Sequence, residues 1–434
     1  MSVELIGLLG IVLLLLLLAF GLPIGVSLAL VGVGGMALLI SPEAALIKAG
    51  VVTFETISRY ELGVLPLFLL MAHFCFQAGA SQDFFEVAAR FVGHRRGGLA
   101  LASIAGCAGF GAVSGSSLAT VATISSVALP EMRKHGYAPG FATGALAAGG
   151  TLGVLIPPSG ALIVFGIIAE QSIGKLFAAA VIPGLTQALF YMGTIFVVCR
   201  INPALGPAIA RTPWRERWPA VRRVADIVVL IVFVVGGLMI GWFTPTEAAA
   251  VGCVGSLGLC AWRKRVSRAM LAESLRTTLL TTGMIYVVII GALLFSVFIS
   301  ITGLAQQMSA TIQVMEAGPL TAIIVMAIAL LLLGSVLDGL ALMLLMTPIF
   351  LPIVDDLGLS PIWFGIFLVR TMEIGFVHPP LGLNVYVLHE MARDIPLGTM
   401  FRGIVPFLIT DFLHLALLIA VPALALWLPG VLGS

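Results

Sequence analysis

The chain has 434 residues, of which only 22 are Lys/Arg and 20 Asp/Glu, with 60% hydrophobic residues, a formal net charge of +2 and a mean hydropathy of +1.16. Soluble domains carry about 25% charged residues, so a chain with 10% cannot cover a core with solvated side chains and has lipid as its main solvent. The small net charge gives no reason to expect nucleic acid as a partner.

In chain order, Glu4 stands where a secretory signal would need positive charge, and the apolar run from Leu5 continues past Gly21 and Pro23 to Ile40. This reads as a retained membrane segment. Further apolar runs able to cross a ~30 Å hydrocarbon core lie at 62–79, 98–129, 138–169, 176–198, 225–242, 247–262, 278–301, 319–354, 361–389 and 403–428, after the first two at 5–20 and 23–40. The cysteines, Cys75, Cys107, Cys199, Cys253 and Cys260, are odd in number and lie in or beside these runs without metal-type pairing, so they read as packing residues.

The run 98–129 is too long for one crossing and is interrupted by Gly109-Phe110-Gly111-Ala112-Val113-Ser114-Gly115-Ser116-Ser117. Arg90, Arg95 and Arg96 precede it, and Arg133 and Lys134 follow it. Basic residues mark the cytoplasmic side, so both flanks are cytoplasmic and the segment is a re-entrant hairpin. The blocks Arg200 to Arg223 and Arg263 to Arg276 fit the same side, whereas Thr277 to Val369 contains no Lys or Arg and should open outward. In that layout the run 319–354, broken near Gly334 to Gly339, is a second hairpin entered from the opposite face.

Two such hairpins suggest an inverted repeat. A shift of 222 aligns Pro130 with Pro352, Pro139 with Pro361, Gly153 with Gly375, Pro157-Pro158 with Pro379-Pro380, and Gly160 with Gly382; Pro183 meets Pro406 after one further residue. The fold expected is an all-α polytopic membrane protein built as an inverted repeat with two re-entrant hairpins and two broken helices. Its divisions are scaffold helices in 1–61, a first repeat in 62–200 with its broken helix at 138–169, a cytoplasmic linker with scaffold helices in 201–276, and a second repeat in 277–434 with its broken helix at 361–389.

The stretch Ser114-Gly115-Ser116-Ser117 followed by Ala119-Thr120-Val121-Ala122-Thr123, and Ile156-Pro157-Pro158-Ser159-Gly160 running on to Glu170-Gln171-Ser172-Ile173-Gly174-Lys175, resemble the large membrane subunit of tripartite ATP-independent periplasmic transporters. So do Thr244-Pro245-Thr246-Glu247-Ala248-Ala249, Leu337-Asp338 and Pro379-Pro380-Leu381-Gly382-Leu383-Asn384, with one departure at His378, where many relatives would have Thr. The resemblance spans roughly Leu5 to Leu428. It implies an elevator-type secondary transporter, a sodium-coupled importer of organic anions, usually carboxylates, in the bacterial inner membrane, with no enzymatic activity. It also implies two separate partner chains, a periplasmic substrate-binding protein and a small membrane subunit.

The physical chemistry points the same way. Pro157-Pro158 removes two backbone donors and pushes Ile156 out of helical geometry, and Pro379-Pro380 repeats this. Irregular backbone at membrane depth is tolerated where it lines a polar cavity or is buried in protein; freed carbonyls can ligate sodium, and the restarted half-helix points its positive end at an anion. The expected sodium set is Ser116, Ser117, Thr151, Gly153 and Pro157 in the first half, with Ser335, Asp338, Gly375 and Asn384 in the second. The expected substrate set is Ser114, Ser159, Asp338, Arg370 and Pro380. The plainer alternative is that these small residues only permit close helix packing. Arg370 and Glu373, three residues apart, are expected to pair along one helix face. The histidines show no metal spacing, so no transition-metal site is expected.

Among rival functions, an intramembrane hydrolase lacks a Gly-x-Ser-x-Gly elbow and an evident base, and an ATP-driven pump lacks a phosphate-binding loop. A channel and a sodium–carboxylate symporter of another elevator family, working without a binding protein, are the remaining alternatives.

Overall fold

Helices make up every regular element in the described residues of the computed structural model, which are 3–304, 307, 318–335, 337 and 339–432. Among these described residues, five helices are long and apolar enough to cross a membrane: Tyr60–Gln77, Ile173–Ile201, Arg268–Thr302, Gly339–Asp356 and Leu397–Ala420. A pair bent by 42°, Pro139–Leu155 and Gly160–Ile168, makes a sixth when counted as one span. Several expected runs are therefore shorter helices, including Ile24–Leu39 and Pro319–Gly334. The run 403–428 is divided by Val421 and Pro422 into Leu397–Ala420 and Ala423–Leu432.

Two helices, Pro42–Ser58 and Ala80–Val92, correspond to no apolar run. The first has a Ser41 cap, with Pro42 and Glu43 in its opening turn, a strong local start signal. The second places Arg90 and Glu86 on its wet side and buries Phe85. Amphipathic helices of this kind escape a search for continuous hydrophobicity.

Helices Gly98–Ser114 and Ser117–Lys134 form the first hairpin, which extends five residues beyond the expected 129. Its tip turns at Gly115, whose φ of +59° is left-handed and favours glycine. Ser116 caps the return helix by accepting from Ala119 N at 3.4 Å. At the base, Leu99 N donates to Tyr137 Oη at 3.0 Å, while Gly97 N and Ala138 N donate to the neighbouring carbonyls of Gly206 and Leu205. The start and end of the hairpin thus lie together, which a single crossing could not achieve.

The first broken helix stops at Leu155, with Ile156 extended (ψ 121°), and restarts at Gly160. The second runs Pro361–Gly375, breaks, and restarts as Leu383–Met391; Asn384 N spans that break to Phe376 O at 3.0 Å. The Pro157–Pro158 and Pro379–Pro380 bonds are both cis. Helices Pro319–Gly334 and Gly339–Asp356 lie against Pro361–Gly375.

Glycines set the closest approaches. A Cβ on Gly111 would come 2.9 Å from Gly153 Cα, and a Cβ on Gly375 would come 2.7 Å from the Gly334 carbonyl carbon. Each contact joins the outgoing helix of a hairpin to the end of the broken helix that follows it. Small residues allow such backbone approach in lipid, where dispersion contacts replace the hydrophobic effect.

The halves are also interleaved. Pro139–Leu155 packs against Leu397–Ala420, where a Cβ on Gly144 would stand 2.3 Å from Gly403 O. Reciprocally, Pro361–Gly375 packs against Ile173–Ile201. Outside this group, Ile24–Leu39 lies along Arg268–Thr302 through Gly25, Gly32 and Gly291, and Val64–Gln77 lies along Pro245–Trp262.

Candidate functional site

A cavity of about 520 Å³ lies between the first hairpin tip, the restart of the first broken helix, the start of Gly339–Asp356, and the helices that carry His73 and Glu273. Ser114, Ser116, Ser117 and Ser159 of the expected site line it, together with Pro158, Gly160 and Gly339. The tip is internally bonded: Ser114 Oγ lies 2.7 Å from Thr120 Oγ1, which donates to Ser116 O at 2.7 Å. A Cβ on Gly115 would stand 2.9 Å from Pro158 O, so tip and helix break meet backbone to backbone.

Three helix starts face this space. Ser117–Lys134 begins under its Ser116 cap, Gly160–Ile168 begins under Ser159, whose Oγ accepts from Leu162 N at 3.3 Å, and Gly339–Asp356 begins at a cavity-lining glycine. Each start presents unpaired backbone N–H groups and a partial positive charge. Their convergence makes the closed end attractive to an anion.

Asn384 does not line the cavity but stands behind Ser117. Its Nδ2 donates to Ser117 Oγ at 3.0 Å and to Ala147 O at 3.1 Å, and Ser117 Oγ lies 3.3 Å from Asn384 Oδ1. The amide thereby joins the first hairpin and first broken helix to the restart of the second broken helix. Gly153 sits under the same tip, where a Cβ would collide with Thr120 Oγ1 and Ser116 O.

Other expected residues sit elsewhere. Thr151 is turned to Tyr191 Oη at 2.9 Å and bonds back to Ala148 O at 2.7 Å. Pro157 is buried in the break, Gly375 lies against Gly334, and Ser335 Oγ donates to Leu332 O at 2.7 Å. Pro380 is exposed and does not line the cavity. Asp338 lies outside the described residues.

Arg370 is 1% exposed and belongs to a buried polar network away from the cavity lining. The expected pairing of Arg370 with Glu373 is corrected here. Arg370 Nη2 instead donates to Asp411 Oδ1, which also accepts from Tyr191 Oη at 2.6 Å and from Gln187 Nε2 at 2.9 Å. Arg370 Nε donates to His414 Nδ1 at 3.3 Å, so the proton of a neutral His414 sits on Nε2, facing Thr186 Oγ1 at 2.9 Å. A carboxylate from the neighbouring helix, desolvated and approached by several donors, outcompetes one on the same helix face. Sequence reasoning missed Asp411, although a lone acid inside the run 403–428 is a signal that a partner is needed.

The other wall of the cavity carries His73, Gln77, Glu273, Ser274 and Thr277. Glu273 and Thr277 are shared with a second depression that touches Arg276. Among the described residues no group of three His, Cys, Asp or Glu side chains could hold a metal ion.

Residues 11–424 match the family model described as the tripartite ATP-independent periplasmic transporter, DctM component. The chain is 38% identical over 400 residues, 91% of its length and 92% of the relative's, to the C4-dicarboxylate TRAP transporter large permease protein of Pseudomonas aeruginosa. It is 30% identical to the sialic acid TRAP transporter large permease of Vibrio cholerae, covering 95% of this chain and 96% of that one. In fold it is similar to the YdaH transporter of Alcanivorax borkumensis, with a TM-score of 0.56 at 14% identity over 89% of each chain.

Proposed function

The chain belongs to the DctM component family of tripartite ATP-independent periplasmic transporters, and from this premise we propose that it imports a small organic anion, driven by sodium and delivered by a periplasmic binding protein. Members of the family are transporters and not enzymes. The observation that carries the anionic substrate is the convergence of three helix starts on one cavity. A carboxylate is the natural class, since one relative carries C4-dicarboxylates and another sialic acid.

The two halves act as inverted repeats. Support comes from the paired helix breaks and from the matching Gly111–Gly153 and Gly334–Gly375 contacts. Hairpins and broken helices form the mobile unit of an elevator. The helices Ile24–Leu39, Val64–Gln77, Pro245–Trp262 and Arg268–Thr302 remain with the small membrane subunit as scaffold in the inner membrane.

Sodium, as the co-transported ion, would be held on the first-half side by oxygens of the Ser116–Ser117 tip with the Asn384 amide close by. On the second-half side the candidates are the backbone around Ser335 and Gly375, with Asp338 as the carboxylate. Sodium would neutralise the region and raise affinity for the anion, and the coupling is reciprocal.

The test is uptake by vesicles containing this chain and its small subunit. Saturable uptake that requires both a sodium gradient and the binding protein is expected. Full sodium-driven uptake without the binding protein would assign the chain to the ordinary symporters, and gradient-independent current would assign it to the channels.

A further inference from the structure

The helix Trp214–Met239 completes a segment of one charge, since residues 200–223 hold six arginines and a single acid, Glu216. On a helix, residues three, four and seven apart share a face. Trp214, Arg215, Trp218 and Arg222 therefore form one stripe, in which the two indoles are 68% and 57% exposed. The same face continues to Val229, Val232 and Phe233, all exposed. One surface of one helix thus changes from basic and aromatic to wholly apolar. From Ala225 to Phe233 it rises ~12 Å, close to the ~15 Å hydrocarbon depth of one leaflet.

The nearby acids are engaged or lie elsewhere. Glu216 falls on the far side of the helix, and so does Arg223, which donates to Glu86 at 3.2 Å. Asp226, one turn beyond Arg222, is held by Arg263. Arg215 and Arg222 make no hydrogen bond or ion pair with any described residue. The Arg222 guanidinium lies 5.9 Å from the Trp218 ring centroid. Arg217 is buried between Phe91 and Trp214, at 5.4 and 5.5 Å, and donates to Thr212 O, again without an acid. Three positive charges therefore stand beside exposed indoles with no counter-charge.

We propose that this stripe binds the headgroup of an anionic phospholipid of the cytoplasmic leaflet, with its acyl chains along Val229, Val232 and Phe233. Guanidinium groups suit phosphate oxygens, and an indole is at home at headgroup level. A soluble anion would match the arginines but leave the apolar continuation of the stripe uncovered. The site also adjoins moving parts of the fold. Trp214 packs on Phe91 with ring centroids 5.9 Å apart, and Gly206 O accepts from Gly97 N at the base of the first hairpin. The lipid thereby anchors a helix that braces the hairpin base, whatever the chain transports.

Native mass spectrometry and thermal unfolding test this on the full chain with its small subunit, in neutral detergent with phosphatidylglycerol or phosphatidylcholine added. Two arginines at a membrane surface give phosphatidylglycerol a preference of roughly 30-fold. Arg222→Gln should reduce it to roughly 5-fold, and Arg215→Gln with Arg222→Gln should abolish it together with the lipid's stabilising effect. Both side chains are exposed, so the variants fold. Equal binding of the two lipids, or a preference unchanged in the double variant, overturns the proposal. So does an equal loss in Arg133→Gln, which would mean that net charge alone attracts the lipid. Stabilisation reproduced by inorganic phosphate would assign the arginines to a free anion instead. Binding to the isolated chain that disappears with the small subunit present would give the face to that subunit.

Discussion

Asn384 Nδ2 and Ser117 Oγ are 3.0 Å apart although 267 residues separate them, so one amide fastens the tip of the first hairpin to the second broken helix. Asn384→Ala removes the bond and also leaves the Ala147 carbonyl without that donor. A buried group stripped of its partner costs about 1–3 kcal/mol. The expected result is a moderate fall in thermal stability with a disproportionate loss of sodium-dependent uptake. If uptake and its sodium dependence survive unchanged, the amide is a structural tie alone.

The Arg370–Asp411 pair should respond asymmetrically. Asp411→Ala leaves a buried guanidinium without its counter-charge and should cost about 3–5 kcal/mol. Replacing both partners together by Met and Leu should recover much of that loss, because apolar residues of similar volume remove the desolvation penalty on both sides. Unfolding in detergent measures both. A double variant no better than Asp411→Ala would show that Tyr191, Gln187 and His414, which bond the pair, carry the larger cost.

Closure of the first hairpin by Leu99 and Tyr137 places Arg96 and Lys134 at the same end. Single cysteines at these two positions should be modified by an impermeant thiol reagent from the cytoplasmic side only. Modification from opposite sides would be incompatible with the hairpin.

Outside the membrane segments, Arg133 Nη2 donates to Asp394 Oδ1 at 2.9 Å, joining the end of the first hairpin to the loop after the second broken helix. That hydrogen bond holds the Asp394 carboxyl below its usual range. The pair's contribution is therefore fully present above the ordinary Asp value of about 3.9 and fades as pH falls through the lower folded value. Both side chains are exposed, so salt also weakens it. The stability difference between wild type and Arg133→Gln should be seen at neutral pH in low salt and vanish in strong acid or high salt. A difference that is constant with pH and salt would mean packing, not charge.

Local punctuation is the most legible part of the fold. Pro157-Pro158 and Pro379-Pro380 dictate helix breaks by covalent geometry, and the serines around Gly115 mark a tip because the Ser116 hydroxyl caps the returning helix. These features need no distant partner. Thr151, Arg370 and Asn384 stand out in the sequence as unusual polar residues, but their partners lie 40, 41 and 267 positions away. Spacing along one helix therefore suggests Glu373 for Arg370, whereas the facing helix supplies Asp411. The amphipathic helix Ala80–Val92 is hidden for another reason, since its polar face interrupts any continuous hydrophobic run.

The glycine contact between Pro139–Leu155 and Leu397–Ala420 has a consequence for biosynthesis. Gly144 and Gly403 touch, yet the ribosome adds residues at about 5–20 per second, so the later helix follows the earlier by roughly 10–50 s. Throughout that interval the groove formed by Gly140 and Gly144 has no mate and must be covered by lipid, by the insertion machinery or by a chaperone. Nascent chains released before residue 403 would carry this groove open. They should be the species that membrane quality control removes, although every segment of their own first half has been inserted.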